Sequence, residues 1–260
     1  NETNAPESEQ SAPPPPVSGQ KNDVSPKTPD GSEYELVNTE ERLTWLAEQL
    51  AQQPAFAVDT ETTGVNPINA DLVGLSFAWK AGHGFYVPVR SALGQIVPLE
   101  VVKKRLGPVL ANEAIGKVGQ NLKYDLIVLH QAGLPVAGKL FDTMIAAFVL
   151  HPLRTTYKLD RLVTEFLDHK MIPISDLIGK GRDQLRMDQV PLDSVAEYAA
   201  EDADYTWRLK ELFEPELHAQ GFDRLFYDTE MPLVAVLTEM ERNGIRVDLD
   251  VLAEMSAQMA

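Results

Sequence analysis

Hydrophobic and polar positions repeat along this chain with two periods, a helical one and the two-residue period of strands. Residues 39–53 place Leu43, Leu46 and Leu50 on one side of a helix, with Thr39 as the expected N-terminal cap. Apolar runs then predict three consecutive strands, at residues 55–62, 72–79 and 84–89. Consecutive strands followed by helices indicate an α/β fold whose mixed sheet starts antiparallel.

The rest of the pattern is mostly helical. Helices are predicted at residues 99–110, 121–133, 141–152, 158–167, 194–213 and 228–242, and a short strand at 115–120. The helix at 194–213 carries Ser194 and Glu197 at capping-box spacing, so we expect it to begin at Ser194. Residues 171–191 are predicted to form a loop-rich insertion, whose GKG sequence lacks the spacing of a phosphate-binding loop.

The two ends of the chain differ from its middle. Residues 1–33 hold seven of the 18 prolines among Ser, Gln and acidic residues, which predicts a disordered linker. Residues 245–260 start an element that the chain does not complete, and we expect them to be loosely held. The chain is therefore expected to be a processed product or a piece of a longer protein.

Composition narrows the class of protein. The 260 residues include no cysteine, which excludes thiolate metal sites and fits a cytoplasmic protein. No apolar run reaches the roughly 18 residues of a membrane span, so no span is expected, and residues 1–10 have neither the basic nor the apolar region that would predict a signal peptide. The net charge of −16 argues against a protein that grips DNA through a broad positive field. A nucleic-acid enzyme of this charge would need local basic patches or bound metal ions.

Two acids close the first long strand. Asp59 and Glu61 are two residues apart, so their side chains project from the same face. Ligands tend to bind at the carboxyl ends of strands in α/β sheets. Strand-end acids in solvent would have the same spacing, so this pair alone leaves both interpretations open.

Two helices carry further acids on their apolar stripes. Asp202 interrupts the stripe of the helix at 194–213, and Tyr198 precedes it by one turn on the same face. Glu201 and Asp204 of this helix are expected to be solvated surface acids. Asp125 likewise interrupts the stripe of the helix at 121–133.

A buried salt bridge is the alternative explanation for Asp125, with Lys123 or Lys158 as partner. The four inward acids together, however, have no matching inward basic residues. Hard divalent cations take oxygen ligands, and two such ions about 4 Å apart form the clamp used in phosphodiester cleavage. The sequence therefore favours a carboxylate site for metal ions over separate ion pairs.

Three stretches carry a family resemblance, namely FAVDTETTG, VGQNLKYD and YAAEDAD. They resemble the three motifs of the DEDD 3′–5′ exonucleases, tyrosine subclass. Together with FDTMIAA, GKG and EYAAEDADYTWRL, they are similar to the proofreading domain of bacterial DNA polymerase I, the family A polymerases. The resemblance implies a ribonuclease H-like mixed β-sheet flanked by helices. It implies an exonuclease domain at residues 34–222 and the start of a polymerase domain at 223–260.

The resemblance also implies roles for individual residues. Asp59, Glu61, Asp125 and Asp202 would hold two divalent ions, Mg²⁺ with Mn²⁺ or Zn²⁺ as alternatives, and Tyr198 would orient the attacking water. The implied substrate contacts are Thr62 and Val65 at the terminal nucleotide, with Val65 as an apolar wedge against the base. Gln120, Asn121 and Tyr124 would line the path of the single strand, and Arg154 and Lys158 would contact phosphates. Ile174 stands where some relatives have an aromatic residue, so base stacking there is expected to be weaker.

The implied activity is release of 5′-mononucleotides from a single-stranded or frayed DNA 3′ end, beside a downstream polymerase domain. Two alternatives stay open at the level of sequence. An RNA-trimming exonuclease of the same fold would carry the same motifs, and a catalytically silent scaffold could pack against a polymerase domain.

Overall fold

The fold is that of a computed structural model, which describes residues 31–259. The predicted linker at residues 1–33 therefore lies almost wholly outside the described residues. The strands are β1 (Glu33–Leu36), β2 (Ala55–Thr62), β3 (Leu72–Lys80), β4 (His83–Pro88), β5 (Gly116–Gly119) and β6 (Leu140–Asp142). They form a six-stranded sheet in the order β1-β4-β3-β2-β5-β6.

Helices flank this sheet. They are α1 (Glu40–Ala51), α2 (Leu99–Leu110), α3 (Leu122–Gln131), α4 (Thr143–Leu150), α5 (Leu159–Leu167), α6 (Ile174–Ile178), α7 (Leu192–Ala219), α8 (Asp223–Leu225), α9 (Met231–Asn243) and α10 (Leu249–Met259). Thr39 caps α1 as expected, since its side chain accepts a hydrogen bond from the backbone N–H of Arg42. Within residues 31–259, no helix combines the length and apolar character that crossing a bilayer requires.

The pairing of strands confirms a mixed sheet with an antiparallel start. Strand β2 pairs antiparallel with β3, and β3 pairs antiparallel with β4. On its other side β2 pairs parallel with β5, and β5 pairs parallel with β6. Strand β2 thus lies inside the sheet, where the antiparallel and parallel parts meet.

Sequence pattern missed both edge strands. Strands β1 and β6 have four and three residues, too few to establish a two-residue period, and they form only through pairing with β4 and β5. The predicted capping box is also wrong. Helix α7 begins at Leu192 after Pro191, two residues before Ser194, and it continues through Pro215 to Ala219.

The core lies on both faces of the sheet. On one face, side chains of α1 and α2 pack against Phe56 and Phe77. On the other face, α4, α5 and α7 pack against Ala57, Ala78 and Val118. Because α7 contacts β1 to β5, it brings its own side chains to the end of β2.

The solvated surface positions predicted for Glu201 and Asp204 are wrong. Asp204 is fully buried and accepts hydrogen bonds from the Tyr34 hydroxyl, the Gly82 backbone and Arg208. Glu201 is 5% exposed. The middle of α7 lies between the sheet and the segment before α6, and none of its residues 201–210 is exposed.

Candidate active site

Three acids from two elements meet at the carboxyl end of β2. Asp59 and Glu61 come from β2, whose pairing with β3 shifts in register between Glu61 and Thr62. Asp202 comes from α7. One carboxylate oxygen of each residue lies within 4.8 Å of the other two. The strand pair and the helix acid that the sequence singled out therefore form one cluster.

Asp125 lies beside this cluster. It is on the first turn of α3, is 2% exposed, and accepts a hydrogen bond of 2.6 Å from the Thr60 hydroxyl. Because Thr60 lies between Asp59 and Glu61 on β2, this bond holds the Asp125 carboxylate against the strand that carries the other acids. Burial and, among the neighbouring charges, that of Asp125 raise the pKa of Glu61. The predicted alternative of a salt bridge is wrong for Lys123, which pairs with Glu241. Asp125 has no ion pair in the described part of the chain.

The electrostatics of these acids follow from burial. Burial raises the pKa of Asp59 to about 7, although a hydrogen bond from the Thr60 backbone acts in the opposite direction. Burial and then the neighbouring negative charges raise the pKa of Glu61, Asp125 and Asp202 well above the usual range. Without a cation, the four carboxylates therefore hold protons more tightly than acids in water do.

Tyr198 lies one turn before Asp202 and shares its environment. Burial, followed by the charges of Asp202, Glu61 and Asp59, raises the pKa of the Tyr198 hydroxyl above its usual value. The hydrogen bond from Tyr198 partly lowers the raised pKa of Asp202. The tyrosine is thus a neutral hydrogen-bond donor at neutral pH.

A cleft of about 440 Å³ opens beside Glu61. Thr62, Val65 and Tyr124 line it, and Val65 is 96% exposed. The Tyr124 hydroxyl donates to the Gly64 carbonyl at 2.6 Å and lies 2.5 Å from the Thr62 hydroxyl. These contacts hold the turn after β2 in place and leave the Val65 side chain projecting into the cleft mouth.

The remaining predicted contacts differ in their placement. Lys158 is exposed and lines a second cleft of about 310 Å³ together with Tyr198 and Asp202. Arg154 is directed to Glu165, with which it forms a two-point ion pair. Gln120 donates to the Tyr157 carbonyl at 2.7 Å, and its neighbour Asn121 adopts a left-handed conformation at φ 63°.

Sequence reasoning missed three residues at this site. Thr60 holds Asp125, Glu201 lies on α7 directly before Asp202, and Tyr86 is a buried tyrosine whose pKa the charge of Glu61 helps to raise. The register places Gly74 opposite Glu61, and a Cβ on Gly74 would lie 2.3 Å from the Tyr86 hydroxyl. Only this pairing, which the sequence does not encode locally, marks Tyr86.

Residues 34–218 match the model of a protein family described as 3′-5′ exonuclease. DNA polymerase I of Pseudomonas aeruginosa is 39% identical over 221 residues, which cover 83% of this chain and 24% of that protein. DNA polymerase I of Chloroflexus aurantiacus is 40% identical over 216 residues, which cover 83% of this chain and 23% of that protein. The chain thus spans about a quarter of the length of these relatives.

Solved structures share the fold at lower identity. Brucella melitensis NrnC has a TM-score of 0.61 at 23% identity, covering 75% of this chain and 87% of that chain. Escherichia coli RNase D has a TM-score of 0.61 at 20% identity, covering 82% of this chain and 52% of that chain. The fold is therefore that of the DEDD exonucleases. With the match over residues 34–218, we conclude that this chain belongs to the 3′–5′ exonuclease family.

Proposed function

We propose that the chain removes nucleotides from the 3′ end of DNA, as the proofreading part of a DNA polymerase I in the bacterial cytoplasm. The observation that carries the proposal is the convergence of Asp59, Glu61 and Asp202 within 4.8 Å, with Asp125 and Tyr198 beside them. Residues 34–222 would form the exonuclease domain.

The carboxylate cluster fits divalent metal ions. All its donors are oxygen atoms, which hard cations such as Mg²⁺ prefer, and burial makes uncompensated charge costly there. Asp59, Glu61 and Asp202 would hold one ion, and Asp59 would hold a second together with Asp125, which would act through bound waters. Bound ions of this kind lower the pKa of water and neutralise charge that develops on phosphodiester oxygens. Mg²⁺ is the proposed ion, and Mn²⁺ or Zn²⁺ are the alternative ions for the same carboxylates.

Tyr198 would orient the attacking water. Because its raised pKa keeps the hydroxyl protonated, Tyr198 can donate a hydrogen bond and cannot serve as the base. Tyr198 and Asp202 both line the second cleft, so a strand bound in that cleft would lie beside the Tyr198 hydroxyl. The residue therefore contributes geometry to the reaction, while the carboxylates contribute charge.

The two clefts would receive the end of the substrate strand. Val65 projects into the first cleft, where it would contact the terminal base, and Thr62 and Tyr124 form the adjoining wall. Lys158 would meet a phosphate at the second cleft. Arg154 is bound to Glu165, so a phosphate contact would require it to exchange this partner. Ile174 is 48% exposed and gives an apolar surface without an aromatic face.

Residues 223–260 would begin the polymerase domain. Apolar side chains are exposed in this region, among them Met240 at 62%, Ile245 at 92% and Leu249 at 75%. Clusters of exposed apolar side chains are typical of surfaces that another protein or domain covers. A polymerase domain is the proposed partner for this surface.

The test is digestion of 5′-labelled single-stranded DNA and RNA in Mg²⁺. Asp202→Ala should lower the rate on DNA by more than about 100-fold, since even changes around metal ligands cost about 10–100-fold. Glu211→Ala, an exposed acid on the same helix, is the matched control and should keep the wild-type rate.

Equal DNA digestion by Asp202→Ala and wild type would contradict the proposal. A strong preference for RNA would identify an RNA-trimming enzyme instead. An inactive wild-type protein that binds no Mn²⁺ near millimolar concentration in calorimetry would identify a scaffold.

A further inference from the structure

Helix α3, which carries Tyr124 and Asp125, starts without a cap of its own. Its N-cap residue Asn121 is left-handed, and the Asn121 side chain makes no capping hydrogen bond. The first N–H groups of a helix need acceptors from elsewhere. The turn is also tight, because a Cβ on Gly119 would lie 2.4 Å from the Leu122 side chain. Something outside α3 must therefore hold its first turn.

Asp142 supplies the missing acceptors. Its Oδ1 accepts from the Asn121 N–H at 3.1 Å, and its Oδ2 accepts from the Leu122 N–H at 2.7 Å. The same carboxylate is the N-cap of α4, where Oδ1 accepts from Met144 and Ile145. Asp142 is 1% exposed. One buried carboxylate thus caps two helices at once.

The neighbouring residue fixes the rest of this turn. The Thr143 hydroxyl lies 3.1 Å from the Gly119 carbonyl and 2.5 Å from Gln120 Oε1. Strand pairing places Asp142 opposite Gly119 at the end of β6. The turn before α3 is therefore docked on residues 142–143, and its position depends on their polar groups.

The position of Asp125 follows from this arrangement. Asp125 is three residues after Leu122, so the capped first turn ends at the acid itself. On its far side Asp125 is held by the Thr60 hydroxyl at 2.6 Å. If Asp142 releases the start of α3, Thr60 alone would fix the carboxylate against β2.

We propose that Asp142 is a positioning residue for the exonuclease reaction. It caps α3 and thereby sets the place of Asp125 relative to Asp59. This inference rests on the proposed function. Asp142 lies within FDTMIAA, a motif to which the sequence assigned no role, and it acts on the reaction through the backbone of α3.

The variant Asp142→Ser separates the two caps. Serine is as good an N-cap as aspartate, so α4 keeps its acceptor, but the shorter side chain cannot reach Asn121 and Leu122. We expect Asp142→Ser to fold, judged by circular dichroism. We expect its kcat to fall about 10–100-fold and its Mn²⁺ affinity in calorimetry to fall about 10-fold, as for residues that orient metal ligands.

A control and a double mutant exclude a purely structural role. Thr39→Ala removes the cap of α1, away from the cluster, and should lower Tm while leaving kcat and Mn²⁺ affinity unchanged. In an Asp125→Asn background, Asp142→Ser should change Mn²⁺ affinity by less than about twofold, because coupled residues are not additive.

Two results would overturn the inference. The first is wild-type kcat and Mn²⁺ affinity in folded Asp142→Ser. The second is that Asp142→Ser lowers Mn²⁺ affinity by the same factor, about 10-fold, in the wild-type and the Asp125→Asn backgrounds. An inactive wild-type enzyme would instead overturn the proposed function, so the two failures are distinguishable.

Discussion

For single residues, the main feature of the site is that burial disfavours the charged form of each carboxylate. Burial raises the pKa of Asp59 to about 7 and that of Glu61, Asp125 and Asp202 well above their usual range. A folded protein rarely keeps such a cluster unless cations or protons neutralise it. The metal-free protein should therefore be less stable than its core alone would make it.

Asp59 contributes a pH dependence to the stability of the metal-free protein, and the raised pKa values of Glu61, Asp125 and Asp202 act in the same direction. The folded pKa of Asp59, about 7, lies above the ordinary value of 3.8. Between these pH values the native state holds a proton that the unfolded state has released. The contribution of Asp59 to stability is therefore complete below pH about 4 and is lost as pH rises to about 7.

Asp59→Asn should accordingly raise the free energy of unfolding in EDTA at pH 8 by roughly 1–2 kcal/mol, which corresponds to a rise in Tm of about 2–8 °C. The gain should shrink at pH 5, where the native aspartate is protonated. Differential scanning fluorimetry at both pH values measures this, with the exposed Glu211→Gln as control. An unchanged or lower Tm for Asp59→Asn at pH 8 would show that burial does not strain this acid.

Among the elements, helix α7 has two roles, because it carries Asp202 and also anchors the wall of the second cleft. Glu201 Oε1 lies 2.8 Å from His169 Nε2, and Oε2 accepts from the Ile172 N–H at 2.7 Å. The His169 ring stacks on Tyr205, with ring centroids 4.2 Å apart. The segment Met171–Ser175, which lines this cleft, is therefore tied to α7 beside the carboxylate cluster.

Glu201→Gln should weaken substrate binding more than chemistry. An amide carries no charge, so the contacts to His169 and to the Ile172 N–H both lose their charge assistance. We expect KM for single-stranded DNA to rise about 3–10-fold, with kcat within about threefold, for a lost charge-assisted hydrogen bond. Steady-state kinetics measures the changes in KM and in kcat separately. The control is Glu197→Gln, which replaces an exposed acid of the same helix. A fall in kcat at constant KM would place Glu201 in the chemistry instead.

At the scale of the whole molecule, packing ends before the described chain does. Helix α9 buries Met231, Val234 and Thr238, and Glu241 pairs with Lys123 of α3. Helix α10 buries no residue. The exonuclease fold should therefore depend on α9 and be independent of α10.

A chain that stops after Gly244 should keep its Tm within about 1 °C and its rate on DNA, because exposed segments contribute little to global stability. Amides of α10 should exchange fastest among the helices in hydrogen-exchange mass spectrometry. Strong protection of α10, or a Tm drop above about 3 °C on truncation, would contradict this prediction.

Periodicity and motif spacing alone determined much of this protein. The central strands, the helices at 99–110 and 158–167, and the inward positions of Asp125 and Asp202 follow from local pattern, because a carboxylate on an apolar stripe is conspicuous in sequence. The spacing of Asp59 and Glu61 places both side chains on one face of the strand, and these two acids gained a function only together with Asp125 and Asp202. Local pattern also named the family through three motifs. Such features persist because each depends on residues only a few positions apart.

Contacts between distant parts of the chain fix which groups act on those acids. The edge strands β1 and β6 exist through pairing, and the pairing of β6 with β5 brings Asp142 to the start of α3. The burial of Glu201 and Asp204 depends on segments that pack over α7. These are contacts between residues 20 or more positions apart in sequence, and periodicity carries no information about such partners.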